Sequence, residues 1–273
     1  MRLKKNPKVL RKSLRMSEGD QMLTFGGHLE VLRQMLFRVL IVTVVFACAI
    51  FCFKNTTFDL LLAPSKSDFC LYRWIERFFA WVGYDFHFAP FEVDMIATDL
   101  SSQFMTHIST SLYLGLLCAS PYILFELFRF ISPALYENER KYSIPVLFIV
   151  YVLFIVGVLM SYFILFPISF RFLGTYSVAE QVHSTITLDS YISTFVTLTL
   201  VMGVVFQLPI VAYFLAKIGL LQSKWLAKYR QHAFLIIMIV AAIITPPDLM
   251  TLILVTVPLY LLYEVSIVVT RHV

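Results

Sequence analysis

Long apolar stretches alternate with shorter polar gaps along this chain of 273 residues. The apolar runs lie at about 35–53, 105–128, 144–166, 190–216, 232–245 and 249–269. Most of them have about 20 residues, the length that an α-helix needs to cross the ~30 Å hydrocarbon core of a bilayer. Because open strand edges cannot satisfy their backbone groups in lipid, the runs predict helices. The pattern predicts an all-α integral membrane protein with six transmembrane helices.

The fifth and sixth runs are short. From His232 to Thr245 an ideal helix rises only ~21 Å at 1.5 Å per residue, and the return run reaches Glu264 after a similar distance. Between them, Pro246 and Pro247 turn the chain, because neither can donate a backbone hydrogen bond. Helices this short must thin the bilayer, tilt less than usual or stay re-entrant. Pro121, Pro209 and Pro258 are expected to kink their helices.

Charged residues predict the orientation of these helices. Seven bases precede residue 16, and the gap at 217–231 has four bases and no acid. The segment 54–104 instead has seven acids against four bases. Since basic loops stay in the cytoplasm, both termini are predicted to be cytoplasmic. The predicted parts are a basic tail with an amphipathic helix (1–34), a membrane domain (35–269) with a long periplasmic insertion (about 54–104), and a cytoplasmic end (270–273).

Composition and motifs argue against several function classes. The net charge of +5 is spread over the gaps between helices, so it indicates topology and not nucleic-acid binding. The six histidines are scattered, and the sequence contains neither HExxH nor a Walker loop. We therefore expect no enzyme, no metal site and no cofactor. A small-solute secondary transporter is the alternative; it would show internal repeats and buried charge, and liposome uptake would identify it.

Carboxylates near the predicted cytoplasmic surface are the main candidates for binding. Glu137 and Glu139 lie between the second and third runs, and Glu30 precedes the first. A carboxylate accepts two parallel hydrogen bonds from a guanidinium, so such groups would suit a ligand with neighbouring arginines. The competing interpretation is local, with Glu137 pairing with Lys141 at helical spacing for ~0.3–0.5 kcal/mol. Spacing alone favours the local pairing.

Three further polar side chains lie within or near the apolar runs. Gln207 either hydrogen-bonds backbone loosened by Pro209 or docks a partner helix. Glu126 lies near the cytoplasmic end of its run, where it is free to snorkel. Glu264 is close to the end of the last run and is expected to pair with Arg271 or the preceding loop. For both glutamates, structural and functional use remain open.

Eight short stretches give the sequence a family resemblance. They are HLEVLR (28–33), APSK (63–66), MIATD (95–99), FISPALYENERK (130–141), YFILFP (162–167), FQLP (206–209), TPPD (245–248) and PLYLLYE (258–264). Each is weak alone. In this order, and with the predicted topology, they make the chain resemble the TatC family, the polytopic subunit of the twin-arginine protein translocase.

The resemblance implies a receptor and scaffold in a bacterial-type cytoplasmic (inner) membrane. Such a protein exports folded cargo whose signal peptides contain paired arginines, using the proton-motive force. It implies TatA-like and TatB-like single-span subunits as partners, contact with membrane lipid, and several copies of the chain in one complex.

The resemblance also assigns site residues. Glu139 and Phe130 match the family positions that meet the signal peptide, and Glu137 and Leu135 lie in the same loop. The second family glutamate falls at Val31, so Glu30 comes one residue early, ~100° around a helix.

Further implied sites lie deeper in the chain. Gln207, Thr245 and Asp248 are implied to bind partner helices, and Glu264 is a further polar membrane position. Many relatives have glutamate where Gln207 stands, so a role for a titrating acid is excluded there. Aromatic residues between Phe69 and Tyr84 predict a helix on the outer membrane surface.

Overall fold

A computed structural model describes residues 25–84, 91, 95–131, 143–177 and 185–271. The α-helices in these ranges are α1 (Phe25–Cys52), α2 (Lys54–Leu62), α3 (Cys70–Val82), α4 (Ser102–Ile131), α5 (Ser143–Met160), α6 (Phe166–Thr175), α7 (Leu188–Val205), α8 (Leu208–Lys217), α9 (Ser223–Lys228), α10 (Arg230–Ile244) and α11 (Leu249–Arg271). A 3₁₀ turn (Ala63–Ser65) follows α2, and a π-helical turn (Ser161–Leu165) joins α5 to α6. The strands β1 (Met95–Ile96) and β2 (Ile186–Thr187) pair in parallel. The predicted all-α architecture is confirmed.

Five of the described helical stretches are long and apolar enough to cross a bilayer. They are Leu29–Cys52, Ser102–Phe130, Pro145–Thr175, Leu188–Lys217 and Leu249–Arg271. The shorter apolar helix α10 has 15 residues and rises ~22 Å, which confirms that the fifth run is short. The predicted short sixth helix is wrong, because α11 has 23 residues and rises ~35 Å. A count of six membrane-crossing helices stays a prediction.

The first two long helices, α1 and α4, pack against each other in antiparallel directions. Gly115 of α4 lies so close to α1 that a Cβ atom there would be 2.7 Å from the backbone nitrogen of Ala47. Small residues at such positions let two backbones approach, which gives close van der Waals packing where lipid supplies no hydrophobic driving force. Large apolar side chains elsewhere on α1, including Phe37 and Val45, are exposed, as expected for a lipid-facing surface.

Prolines interrupt the third and fourth long stretches. The π-helical turn ends just before Pro167, and the break between α7 and α8 at Phe206–Gln207 comes just before Pro209. Proline has no backbone N–H and its ring clashes with the preceding turn, so the helix must change register or end there. At Pro209, where a kink was predicted, the helix is broken, whereas the irregular turn before Pro167 was missed. Pro121 and Pro258 lie inside the continuous helices α4 and α11.

An aromatic core lies at the end of the bundle where α1 finishes and α7 begins. Phe166 packs edge-to-face on Tyr191 and on Phe195, with ring centroids 5.0 Å apart in each pair. The hydroxyl of Tyr191 donates to the carbonyl of Leu61 at 2.7 Å. Because this bond reaches the last turn of α2, the core holds the long segment between α1 and α4 against the bundle.

The helix α3 confirms the helix predicted from the aromatic residues of this segment. One side is buried, since the hydroxyl of Tyr72 donates to the carbonyl of Pro167 at 2.9 Å. Burial raises the pKa of Tyr72 to about 12, against an opposing effect of the charge on Arg171. The other side exposes Trp74 and Trp81. A position on the outer membrane surface is compatible with these exposed rings and stays a prediction.

Candidate functional site

Several helix ends meet at one end of the bundle, which we call the N-terminal face. Contacts between antiparallel neighbours define it. Arg38, midway along α1, is 3.5 Å from Glu126 near the end of α4, and the ring of Phe128 lies 6.1 Å from that of Phe214 in α8. Arg230 at the start of α10 likewise contacts Glu264 near the end of α11. The N-terminal face therefore gathers charged side chains from α1, α4, α10 and α11.

Glu30 lies in the second turn of α1 and is paired locally. Its Oε1 accepts hydrogen bonds from Arg33 at 2.8 Å and from Gln34 at 3.0 Å. The side chain is 47% exposed, so these contacts leave the carboxylate accessible from outside. Val31, where the family glutamate falls, is exposed beside it.

The remaining predicted peptide-binding residues follow the end of α4. Phe130, in the last turn of α4, is half-buried. The predictions for Leu135, Glu137 and Glu139 lie outside the described residues. The described part of the chain therefore places Glu30 and Phe130 on two helices that pack together, near one end of the bundle.

A buried ionic cluster, not found from the sequence, lies on the α1–α4 contact. The carboxylate of Glu126 is only 7% exposed and accepts a hydrogen bond from Tyr122 at 2.9 Å through Oε1. The same oxygen lies 3.5 Å from Nη1 of Arg38, whose side chain is 48% exposed. The expectation that Glu126 snorkels is wrong, because a charged partner reaches it inside the bundle. Arginine four residues into an apolar run was the available signal.

A second cluster of the same composition joins α10 to α11. Arg230 contacts Glu264 twice, with Nε–Oε1 at 2.8 Å and Nη2–Oε2 at 2.9 Å. Tyr260 adds a hydrogen bond to Oε1 at 3.1 Å. Pairing of Glu264 with Arg271 is therefore a wrong prediction. Arg271 lies two turns beyond Glu264 on the same helix, a rise of ~10 Å. Arg230, on the antiparallel neighbour α10, lies beside Glu264. This pairing lets α11 continue past Glu264.

Gln207 connects the break between α7 and α8 to a neighbouring helix. Its Nε2 donates to the carbonyl of Val150 in α5 at 3.2 Å. The acceptor is thus not the backbone loosened by Pro209, so that prediction is wrong. Within the described part of the chain, Oε1 of Gln207 is buried without a hydrogen-bond partner. Buried polar atoms usually have a hydrogen-bond partner, so this unused acceptor is a feature that needs an explanation.

Thr245 and Asp248 shape the turn between α10 and α11. The hydroxyl of Thr245 donates to the carbonyl of Ala241 at 2.9 Å, and Oδ1 of Asp248 accepts from the backbone nitrogen of Thr251 at 2.7 Å. Asp248 therefore caps the start of α11. Its Oδ2 is buried and, among the described residues, has no hydrogen-bond partner.

An apolar groove of about 330 Å³ opens beside this turn, between α11 and the α5–α6 stretch. Its lining includes Met160, Ile164, Phe172, Met250, Leu254 and Val257. In the described residues, no three His, Cys, Asp or Glu side chains lie close enough together to hold a metal ion. The described side chains at the two ends of the bundle offer ionic, hydrogen-bonding and apolar contacts.

Comparison with known proteins identifies the family. The family model described as "Sec-independent protein translocase protein (TatC)" matches residues 27–258. A Blattabacterium protein named Sec-independent protein translocase protein TatC is 36% identical over 253 residues, covering 91% of this chain and 95% of its own length. The protein of the same name from Desulforapulum autotrophicum is 34% identical over 256 residues, covering 94% and 87%.

The fold of a solved relative agrees with this match. The crystal structure of the twin-arginine translocase receptor TatC is similar with a TM-score of 0.71 and 32% sequence identity. The similarity covers 89% of this chain and 98% of that one. Since the family model, the relatives and the fold all match over most of the sequence, the chain belongs to the TatC family of Sec-independent protein translocase proteins.

Proposed function

We propose that this protein is the signal-peptide receptor and scaffold subunit of a twin-arginine translocase, which exports folded proteins across the cytoplasmic membrane. The observation that supports this best is the similarity in fold and sequence to the twin-arginine translocase receptor over nearly the whole chain. The protein acts by binding and assembly and performs no bond chemistry. The energy comes from the proton-motive force.

The N-terminal face is the cytoplasmic face in this proposal. Bases lie near its helix ends, including Arg33 in α1, Lys217 at the end of α8 and Arg230 at the start of α10. Positively charged segments are retained on the cytoplasmic side during membrane insertion. Both termini are then cytoplasmic, and the aromatic core faces the periplasm.

The paired arginines of the signal peptide bind at the ends of α1 and α4. Glu139 is the main carboxylate, with Glu30 or Glu137 beside it and Phe130 and Leu135 providing apolar contact. Two features of the described residues support this arrangement. Glu30 is half-exposed and uses one oxygen for its local pairs, and the half-buried ring of Phe130 lies on the adjoining helix. A guanidinium fork fits an accessible carboxylate of this kind.

Single-span partners resembling TatA and TatB bind along the other side of the bundle. Gln207 presents a buried acceptor, and Asp248 presents another beside the apolar groove of α11. A partner helix with apolar residues and a few donors would fill the groove and satisfy these oxygens. Several copies of the receptor assemble with these partners in one complex.

The test is binding of a synthetic signal peptide to the purified protein. An Arg-Arg peptide should bind more tightly than a Lys-Lys version, and Glu139→Ala should weaken the Arg-Arg peptide by about 10- to 100-fold, from ~1.5–3 kcal/mol for a charge-assisted hydrogen bond. Asp59→Ala, an exposed acid in α2 near the opposite end, is the control and should bind normally. Equal binding by Glu139→Ala and the unmodified protein would refute the docking site.

A further inference from the structure

We propose that Glu126 is a second, deeper carboxylate for a signal-peptide guanidinium and that Arg38 occupies it as an internal ligand until the peptide displaces it. This inference rests on the proposed receptor function of the N-terminal face. It adds a residue pair to the site and a step to binding, in which one guanidinium exchanges for another at the same carboxylate.

The position of the cluster extends the binding surface inward. Glu126 lies one turn before Phe130 on α4, and Arg38 lies about two turns after Glu30 on α1. Eight residues of helix span ~12 Å, so the pair sits deeper than Glu30 along the same α1–α4 seam. A peptide whose first arginine meets the rim carboxylates therefore has a second carboxylate further along its path.

The contact between Arg38 and Glu126 is a poor one for these two groups. One guanidinium nitrogen lies 3.5 Å from one carboxylate oxygen, and Tyr122 shares that oxygen at 2.9 Å. A well-formed arginine–carboxylate pair has two parallel bonds of about 2.7–2.9 Å. A carboxylate that is 7% exposed needs a cationic partner. The single long contact with Arg38 means that another guanidinium could bind Glu126 with shorter and more numerous hydrogen bonds.

The cluster at Glu264 has the same three types of side chain, and there the guanidinium binds the carboxylate through two nitrogens. In both clusters a tyrosine four residues before the glutamate donates to Oε1, and an arginine comes from the antiparallel neighbour. Arg230 uses both arms of its guanidinium, at 2.8 and 2.9 Å. Identical chemistry is thus bidentate between α10 and α11 and monodentate between α1 and α4. The difference marks the Glu126 cluster as the exchangeable one.

Arg38 is also able to leave without being stranded. Its side chain is 48% exposed, and the outer face of α1 is open to the surroundings. A long arginine side chain can extend its charge along the helix toward the membrane interface. Because the incoming guanidinium replaces the departing one, Glu126 keeps a cationic partner throughout the exchange.

The experiment measures Arg-Arg signal-peptide affinity for the full-length protein and its variants. Arg38→Gln removes the internal competitor and should tighten binding by about tenfold, which corresponds to Arg38 occupying Glu126 for about nine-tenths of the time. Glu126→Gln should weaken binding by about tenfold or more, through loss of a charge-assisted bond. The double variant should match Glu126→Gln, because Arg38 acts only through that carboxylate.

Two variants keep the test informative if Arg38→Gln destabilises the fold by leaving Glu126 unpaired. Arg38→Lys retains the charge but loses the fork, so it should tighten binding in the same direction by a smaller factor. The double variant removes both charges and leaves no unpaired ion. Arg230→Gln, in the matched cluster, should leave affinity unchanged.

Tighter binding by the Arg38 variants, abolished when Glu126 is also changed, would support the exchange. Unchanged or weaker binding by folded Arg38→Lys and Arg38→Gln would overturn it, and so would normal binding by Glu126→Gln. If Glu139→Ala still loses affinity in those cases, the receptor function stands and the exchange alone is refuted. Failure of the unmodified protein to prefer Arg-Arg over Lys-Lys would instead refute both.

Discussion

We predict that Gln207 lowers the unfolding free energy of the isolated protein and is needed for binding a partner subunit. Its amide donates to Val150 at 3.2 Å, and such interhelical bonds in membranes contribute ~0.6 kcal/mol on average. Its Oε1 is buried without a partner in the described part of the chain, which costs ~1–3 kcal/mol. Replacing Gln207 by leucine removes both terms, so the isolated protein should become more stable by ~0.5–2 kcal/mol.

The control lies between the π-helical turn after α5 and the helix α7, close to the contact that Gln207 makes. The hydroxyls of Ser161 and Thr199 are 3.3 Å apart and bonded to each other. Thr199→Val removes one partner and leaves Ser161 without its bond to Thr199, so this variant should be destabilised by ~1–2 kcal/mol. The two substitutions each remove one hydrogen bond across the contact but are expected to change stability in opposite directions.

Two measurements test this prediction about Gln207. Unfolding of the purified protein in rising dodecyl sulfate, followed by far-ultraviolet circular dichroism, gives the stability, and co-purification with a single-span TatB-like subunit gives partner binding. Gln207→Leu should unfold later than the unmodified protein and lose co-purification. A loss of stability equal to that of Thr199→Val would show that Oε1 is satisfied in the membrane. Normal co-purification would refute the docking role.

Other predictions concern packing, pH and capping. A Cβ atom at Gly157 would lie 2.6 Å from the carbonyl oxygen of Met202, whereas one at Gly203 would meet the edge of a phenylalanine ring at 2.8 Å. A backbone carbonyl cannot rotate away from the added methyl group, so Gly157→Ala should lower the unfolding free energy by ~1–3 kcal/mol. Gly203→Ala should lower it by less, and the same dodecyl sulfate titration measures both. The raised pKa of Tyr72, about 12 against 10.0, favours the neutral phenol in the fold. The stability that Tyr72 adds to the fold is therefore complete below pH 10 and lost as pH rises through 12. Between these pH values, the unfolding midpoint of the unmodified protein should fall more than that of Tyr72→Phe. Thr187 accepts a hydrogen bond from the first turn of α7 at 3.2 Å, so Thr187→Val should cost ~1 kcal/mol in thermal unfolding.

The sequence predicted the helices well because hydropathy alone determines which segments enter a bilayer. The run at 105–128 became α4, and the short run at 232–245 became α10. The sixth helix was predicted too short because its rise was measured only as far as Glu264, although its apolar run extends to about residue 269. Arg230 supplies a cationic partner for Glu264 from a neighbouring helix, and α11 continues past this charge to Arg271.

Pairings between distant segments were beyond the reach of sequence reasoning. Arg38 and Glu126 are separated by 88 positions, and each alone looks like a charge able to reach the membrane surface. Only the antiparallel contact of α1 and α4, with Gly115 against Ala47, brings them level. The family resemblance identified Glu139 and Glu137 without placing them, since those predictions fall outside the described residues.

The unequal lengths of the last two helices bear on how partners assemble. A pair of short helices would thin the bilayer around both, but α11 rises ~35 Å and only α10, at ~22 Å, falls short of a ~30 Å core. Under the prediction that α10 also crosses the membrane, a mismatch of ~8 Å would arise in the lipid beside α10, where Ile236, Ile239 and Ile243 are exposed. Each ångström costs a fraction of a kcal/mol, so covering α10 with a partner helix relieves strain in the lipid as well as burying apolar surface. Under the proposed function, the short helix would thus favour assembly at the side of the bundle where the buried acceptor of Asp248 and the apolar groove already lie.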